Sequence, residues 1–436
     1  MKTIMNYFIS QKKNIHKILF TLIIIFVYVI GTNIPVPCLD SKTYKAIKFW
    51  SSIRYQILNF GFGKDKTKFP FAILSLGVMP YITTSIILQL ANKIVPFLKE
   101  WGEHGEKGKY KLNLFSRFIT LILSFGYGLS ITSQLKHNRL LSENTSLMQL
   151  KVTFFLVVGV FICIWLADLI TAKGIGNGIS ILIAINISKE VYNTFNFLYA
   201  PPEDYALTIW SRCAILSYLL CLLVLTIILC SAYLKIPILY YTINVNKIHE
   251  AKIDKHIPFK INSAGVLPVI LATSLMNMFD MISVFLSSNS NLKNIIDSYL
   301  SASKRPELGV SFFLYLSFIL LFSVFSMFMV INPRDVTEHL SKQDAYIEGI
   351  KPGEETLHKI TDELFKITLI GAIFLTLLAA MPDILNWFYK WFYDQNLPQN
   401  MQFGGTSLLI IVGVALECVQ RMNTKTHLTS MYNKLF

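Results

Sequence analysis

The run GIGNGIS at 174–180 has the glycine spacing of a phosphate cradle, in which successive backbone N–H groups wrap an anion. It carries no Walker lysine, follows no strand and opens an apolar stretch directly after TAK, so no nucleotide site is expected there. HEAK at 249–252 lacks the second histidine that a zinc-binding helix presents one turn on. No GxSxG elbow and no Cys–His pair stands in a convincing context. Cys38, Cys163, Cys213, Cys221, Cys230 and Cys418 show no metal-ligand spacing, and all but Cys38 lie in or beside apolar runs, where a thiol packs as a small apolar group. The residue types thus predict no enzyme, no metal site, no disulfide framework and no cofactor. Asp168, Asp280 and Glu417 fall near the ends of apolar runs. A proton pathway would need an acid near the bilayer midplane, so Asp168 and Glu417 are assigned structural roles.

What must position any remaining chemistry is a set of membrane helices. The 436 residues are 53% hydrophobic and 15% charged, more apolar surface than one soluble core can bury, in runs long enough to span lipid. The net charge of +14 raises nucleic acid as a partner, but in a chain with many spans Lys and Arg serve to hold loops on the cytoplasmic side. At about twenty residues per crossing, ten spans are expected near 16–34, 71–91, 114–134, 152–171, 179–197, 207–234, 263–286, 309–331, 364–381 and 403–419. The first lacks a small-residue cleavage signature and continues into IPVP (34–37), which reads as an uncleaved span. The fold class is therefore all-α membrane protein.

The larger share of Lys and Arg falls on one side of this arrangement and places both termini in the cytoplasm. Lys42, Lys45, Lys48, Arg54, Lys64, Lys66 and Lys68 oppose that assignment from the 35–70 segment. Five spans per half is an odd number, so residues 1–206 and 207–436 must enter the membrane in opposite senses. This permits two inverted, pseudo-symmetric halves with a pathway between them, an architecture of channels and of many transporters. The presumed cytoplasmic loops at 235–262 and 332–363 are long, charged and broken by Pro and Gly, which suits a docking partner.

Four stretches carry a recurrent pattern: GVMPYITTSIILQL (77–90), GIGNGISILI (174–183), INSAGVLPVI (261–270) and FGGTSLLI (403–410). Ile82 and Ile86 share one helical face, as do Ile183 and Ile187, while Ile270 and Ile410 sit at corresponding depths of two further spans. Any one of these isoleucines alone would ordinarily face lipid or a neighbouring helix. Gly77, Pro80, Gly265, Pro268, Gly404 and Gly405 interrupt regular helix or allow close backbone approach, in a funnel or in ordinary packing alike. Taken in order, from HKILFTL (16–22) to GVALECV (413–419), the motifs resemble the bacterial and organellar SecY family.

That resemblance implies a protein-conducting channel that passes unfolded polypeptides across a membrane and releases apolar segments sideways into lipid. It places Ile82, Ile86, Ile183, Ile187, Ile270 and Ile410 in a pore ring, an apolar collar that blocks ions by dewetting. It places a plug at about 41–69 (YKAIKFWSSIRYQILNF at 44–60), here more basic and aromatic than the Gly-rich plugs of the family. Ser85, Ser274 and Asn277 would flank a lateral gate between spans two and three and spans seven and eight. Docking of a SecA-type motor or a ribosome would fall on Lys235, Lys260, Lys351, Pro352 and Gly353. At the family's GIRPG turn this chain reads GIKPG, and its tail keeps only Tyr432 of the RHYEGF-like ending. Lys351 keeps the charge there but loses the planar fork of arginine.

SecE-like and SecG-like subunits, signal-bearing preproteins and the lipid bilayer complete the implied partners, with the cell membrane as location and an organellar membrane as the variant. An accessory or organellar member serving a narrow substrate set is the near alternative. A secondary transporter of a small solute is the distant one. It would need a polar midplane site where isoleucines stand.

Overall fold

A computed structural model describes residues 2–37, 72–137, 145–199, 209–240, 256–262, 265–286, 291, 295–300, 309–342, 345–347, 349–351, 353–393 and 404–435. Helices occupy all ten expected spans: α1 (Lys2–Gly31), α2 (Met79–Ile94), α4 (Gly105–His137), α5 (Ser146–Lys173), α6 (Gly178–Tyr199), α7 (Ile209–Ser231), α8 (Leu267–Phe285), α9 (Val310–Val330), α11 (Glu354–Tyr393) and α12 (Gly405–Leu435). Two shorter helices join them, α3 (Pro96–Glu103) and α10 (Pro333–Lys342). Among the described residues five helices are long and apolar enough to cross a membrane, or six if α2 and α3, bent by 102° at the Val95–Pro96 break, are one span. α6 and α8 carry shorter apolar stretches, Gly178–Ser188 and Leu267–Phe279. Helices surrounded by other helices need less lipid-facing apolar surface than peripheral ones, and α6 and α8 contribute to the central core.

Several boundaries differ from the expected spans, each for a local reason. Residues 73–78 form turns, so span two becomes helical only at Met79, where Pro80 fits the first helical turn. Helix α7 ends at Ser231 because Tyr233–Tyr240 is strand β1, whose alternation buries Ile236 and Ile238 and exposes the residues between and before them. β1 pairs antiparallel with β2 (His256–Lys260) through Tyr233–Pro237, and with β3 (Ala345–Ile347) through Ile238–Tyr240. The sheet order β2-β1-β3 therefore joins the two expected cytoplasmic loops into one unit. Ile236, Ile238, Phe259 and Ile347 pack there against Leu340 of α10, Met327 of α9, and Ile360, Leu364 and Ile367 of α11. Pro237 marks the point where pairing passes from β2 to β3, a tolerated place for a residue without an N–H.

The expected plug, 41–69, lies outside the described residues, but its two flanks meet. Pro35 and Ala72 form an antiparallel bridge, and the Ile73 amide donates to the Ile34 carbonyl at 3.0 Å. Helices preceding residue 200 meet those following residue 208 at two seams: α6 against α12, and α8 against α2 and α4. The largest core cluster spans both seams, drawing on Ile24 and Tyr28 of α1, Leu182 of α6, Leu222 of α7, Ala272 of α8, Tyr315 of α9, Leu375 of α11 and Leu409 of α12.

Candidate functional site

The four helices that carry the collar isoleucines begin in two matched ways. In α2 and α8 the entry is Gly-Val-x-Pro. Gly77 (φ 55) and Gly265 (φ 62) take the left-handed conformation that side chains disfavour. Each glycine amide donates to the carbonyl three residues back, Leu74 at 3.0 Å and Asn262 at 3.3 Å. Val78 (φ −92, ψ 1) and Val266 (φ −91, ψ −9) follow in nearly the same conformation. The amides of Ile82 and Ile270 then donate to those valine carbonyls at 3.0 and 3.2 Å. The isoleucine thus stands at the same place in both helices, five residues after the glycine.

Helices α6 and α12 share a second entry, Gly-x-Ser-x-Leu-Ile, with Ile183 and Ile410 again five residues after Gly178 and Gly405. Both glycines are there for close approach. A Cβ at 178 would run into the Ala167 carbonyl oxygen of α5, and one at 405 into the Leu378 carbonyl oxygen of α11. The first helical bonds also match, Ile181 N–H to Asn177 O at 3.0 Å and Leu408 N–H to Gly404 O at 3.1 Å. Asn177 Oδ1 accepts from the Ile179 amide at 3.1 Å and the Gly178 amide donates to Thr171 Oγ1 at 2.8 Å, satisfying helix-start donors that would be orphaned in lipid.

These entries bring all six expected collar residues into one core cluster. Ile82, Ile86, Ile183, Ile187 and Ile410 are buried, and Ile270 is half-buried against them. One turn beyond the first isoleucine the register gives Ile86 in α2 and Ile187 in α6, but Ser274 in α8 and Val414 in α12. Ser274 is buried, and its Oγ has no hydrogen-bond partner among the described residues. The hydroxyls of Thr83, Thr84 and Thr273 bond back to their own helices, to Met79 O at 3.1 Å, Pro80 O at 2.8 Å and Val269 O at 2.8 Å. Ser85 of α2 and Asn277 of α8 are half-buried on helices that pack together.

The expected docking residues that are described lie on or beside the three-stranded sheet. Lys235 is exposed on β1, its Nζ 5.4 Å from the Tyr233 ring centre. Lys260 lies on the adjacent strand, its Nζ 3.4 Å from Gln420 Oε1 of α12. Lys351 is exposed in a turn between Gly349 (φ 77) and Gly353 (φ 112). Its amide donates to Glu355 Oε2 at 3.4 Å and its carbonyl accepts from Thr356 Oγ1 at 2.8 Å. Pro352 lies outside the described residues. At the base of α11, hydrogen bonds from Lys359 and Lys366 hold the Glu363 carboxyl below its ordinary range against partial desolvation.

The acids assigned structural roles have local partners, Asp168 with Arg117 of α4 and Glu417 with Arg421, each at 2.7 Å. Among the described residues no cluster of His, Cys, Asp or Glu has the makings of a metal site. The paired glycine offsets and the sheet are what reading the sequence missed. A comparison of the two halves for a glycine five residues before an isoleucine would have found the first, and the alternation in YLKIPILY the second.

The arrangement is that of a known family. The SecY family model matches residues 72–419. The protein translocase subunit SecY of Bacillus licheniformis is 34% identical over 97% of this chain and 97% of its own length. That of Staphylococcus epidermidis is 32% identical over 96% of each. A solved protein-conducting channel superposes with a TM-score of 0.63 at 17% identity, covering 94% of this chain and 92% of that one. A SecY channel studied for how its plug domain stabilises the closed state gives 0.61 at 16% identity over 94% and 92%. On its motifs, its fold and its full-length relatives, this chain belongs to the SecY family.

Proposed function

We propose that this chain is the central channel-forming subunit of a Sec-type preprotein translocase. What supports the reading is that four helices, started by two repeated backbone devices, carry isoleucines at one offset that belong to or pack against a single buried cluster, which we read as the collar. An apolar constriction of this kind holds no stable water column, so it resists ions at rest, yet it grips no particular side chain and lets varied polypeptides through. A solute transporter needs convergent polar groups at that depth instead.

The 1–206 and 207–436 segments act as two halves of a clamshell, with the 41–69 segment as plug between flanks pinned at Pro35 and Ala72. α8 against α2 and α4 forms the lateral gate, lined by Ser85, Ser274 and Asn277. No covalent step belongs to this subunit. Energy comes from a SecA-type motor or a translating ribosome docked on Lys235, Lys260 and the Lys351–Pro352–Gly353 turn. Ribosome-bound relatives of this fold, canine Sec61 and yeast Ssh1, support the second partner. SecE-like and SecG-like subunits brace the channel in a cell membrane, with both termini cytoplasmic.

The gate gives the test. With native cysteines removed, cysteines at Ser85 and Ser274 joined by a crosslinker should stop passage of secretory precursors, and cleaving the link should restore it, because the tie removes the open state from the ensemble. Normal export through crosslinked protein would overturn the gate assignment.

A further inference from the structure

Tyr28 of α1 is fully buried, and its hydroxyl meets the side-chain amide of Asn186 in α6. The hydroxyl donates to Oδ1 at 3.1 Å and accepts from Nδ2 at 2.7 Å. Asn186 is buried as well. A phenol and a carboxamide this deep in a bilayer-spanning bundle are costly unless each satisfies the other. On the same face of α1, two turns nearer its start, Thr21 Oγ1 accepts from the Ile175 amide in the turn before α6 at 3.2 Å. Buried Ile24 fills the space between. α1 therefore grips α6 twice, at its entrance and again where the collar is.

Asn186 stands between Ile183 and Ile187. At 100° per residue its side chain leaves α6 roughly 80° from the mean direction of those two isoleucines. A bond anchored at that angle fixes the rotation of the helix about its own axis. In the matching register of α12 the equivalent residue is Gly413, eight after Gly405 as Asn186 is eight after Gly178, and it has no side chain to anchor.

Resting on the channel reading above, we infer that Tyr28 and Asn186 form a rotational latch that positions Ile183 and Ile187 in the collar. The latch belongs to the first half only. Breaking it frees α6 to turn about its own axis: without the Tyr28 hydroxyl the orphaned Asn186 amide turns toward the water-filled funnel, and without Asn186 nothing anchors the rotation, so in either case the isoleucines leave the seal. Tyr28 and Asn186 are positioning residues and touch no translocating chain in the resting state.

The experiment uses the assembled translocase in planar bilayers with Tyr28→Phe and, separately, Asn186→Leu. Resting ion conductance should rise about three- to tenfold in each, the population shift expected when one interhelical hydrogen bond is lost. If one variant fails to assemble, the other carries the measurement. Wild-type conductance in an assembled variant overturns the latch. A second readout does not depend on the collar. In a cysteine-free background with Ile183→Cys, the rate of labelling by a water-soluble maleimide should fall several-fold when Tyr28→Phe is added, and an unchanged rate overturns the latch. Should Ile183→Ser with Ile187→Ser fail to leak, the collar reading fails by itself, and the labelling rate still decides whether Tyr28 sets the rotation of α6.

Discussion

Ile82, Ile183, Ile270 and Ile410 each follow a glycine by five residues, and the glycines do different work in each pair. Gly77 and Gly265 make left-handed turns, while Gly178 and Gly405 admit a neighbouring carbonyl. Gly178→Ala should therefore destabilise the folded protein by about 1–3 kcal/mol, because overpacking forces the α5–α6 contact apart. Gly309→Ala, where a Cβ would meet nothing within 4 Å, should be near neutral in the same thermal-unfolding series. For the collar, Ile82, Ile86, Ile183 and Ile187 all changed to Ser should make the resting channel conduct small ions, since a polar constriction no longer dewets. Unchanged conductance would count against the collar. At this scale the membership of six isoleucines in one core cluster was legible from helix period and motif order. Tyr28–Asn186 was not, since a hydrogen bond across 158 residues of sequence leaves no periodic trace.

Among the elements, the helices were legible and their ends were not. Apolar run length marks a span but carries the expected helix past Ser231 into Tyr233, where only the alternation of YLKIPILY signals a strand, and nothing local says that β3 will come from more than 100 residues further on to pair with Ile238–Tyr240. The consequence is mechanical. The two expected docking loops share one small core of Ile236, Phe259, Leu340 and Ile360, so displacing one would strain the other. Lys351 lies on the surface of this unit, outside its core. Lys351→Glu should thus lower motor-driven export, roughly tenfold at low salt and less at high salt as screening takes over, with the amount of assembled protein unchanged. Loss of the protein itself would make the turn structural. Lys351→Arg, which restores the planar fork, should raise export.

Across the whole molecule, the odd number of expected spans per half predicted inversion, and the paired glycine–isoleucine entries of α2 with α8 and of α6 with α12 are its imprint in the backbone. Among the described residues the halves pack mainly at two seams. On the channel reading, one opens toward lipid while the other keeps them together, with the proposed collar between. Which helices meet across the halves was legible only through the family resemblance, because local pattern does not report such contacts. The central claim is that a polypeptide passes through this collar. It is tested by placing a photoreactive amino acid at Ile183 or Ile410, and for comparison at Leu220 or Phe313, which are both 63% exposed on the outside of the bundle, then irradiating with a precursor arrested in mid-transit. The account predicts crosslinks to the precursor from positions 183 and 410 and none from 220 or 313. Equal crosslinking from all four positions, or none from 183 and 410 while the precursor is arrested, would contradict it.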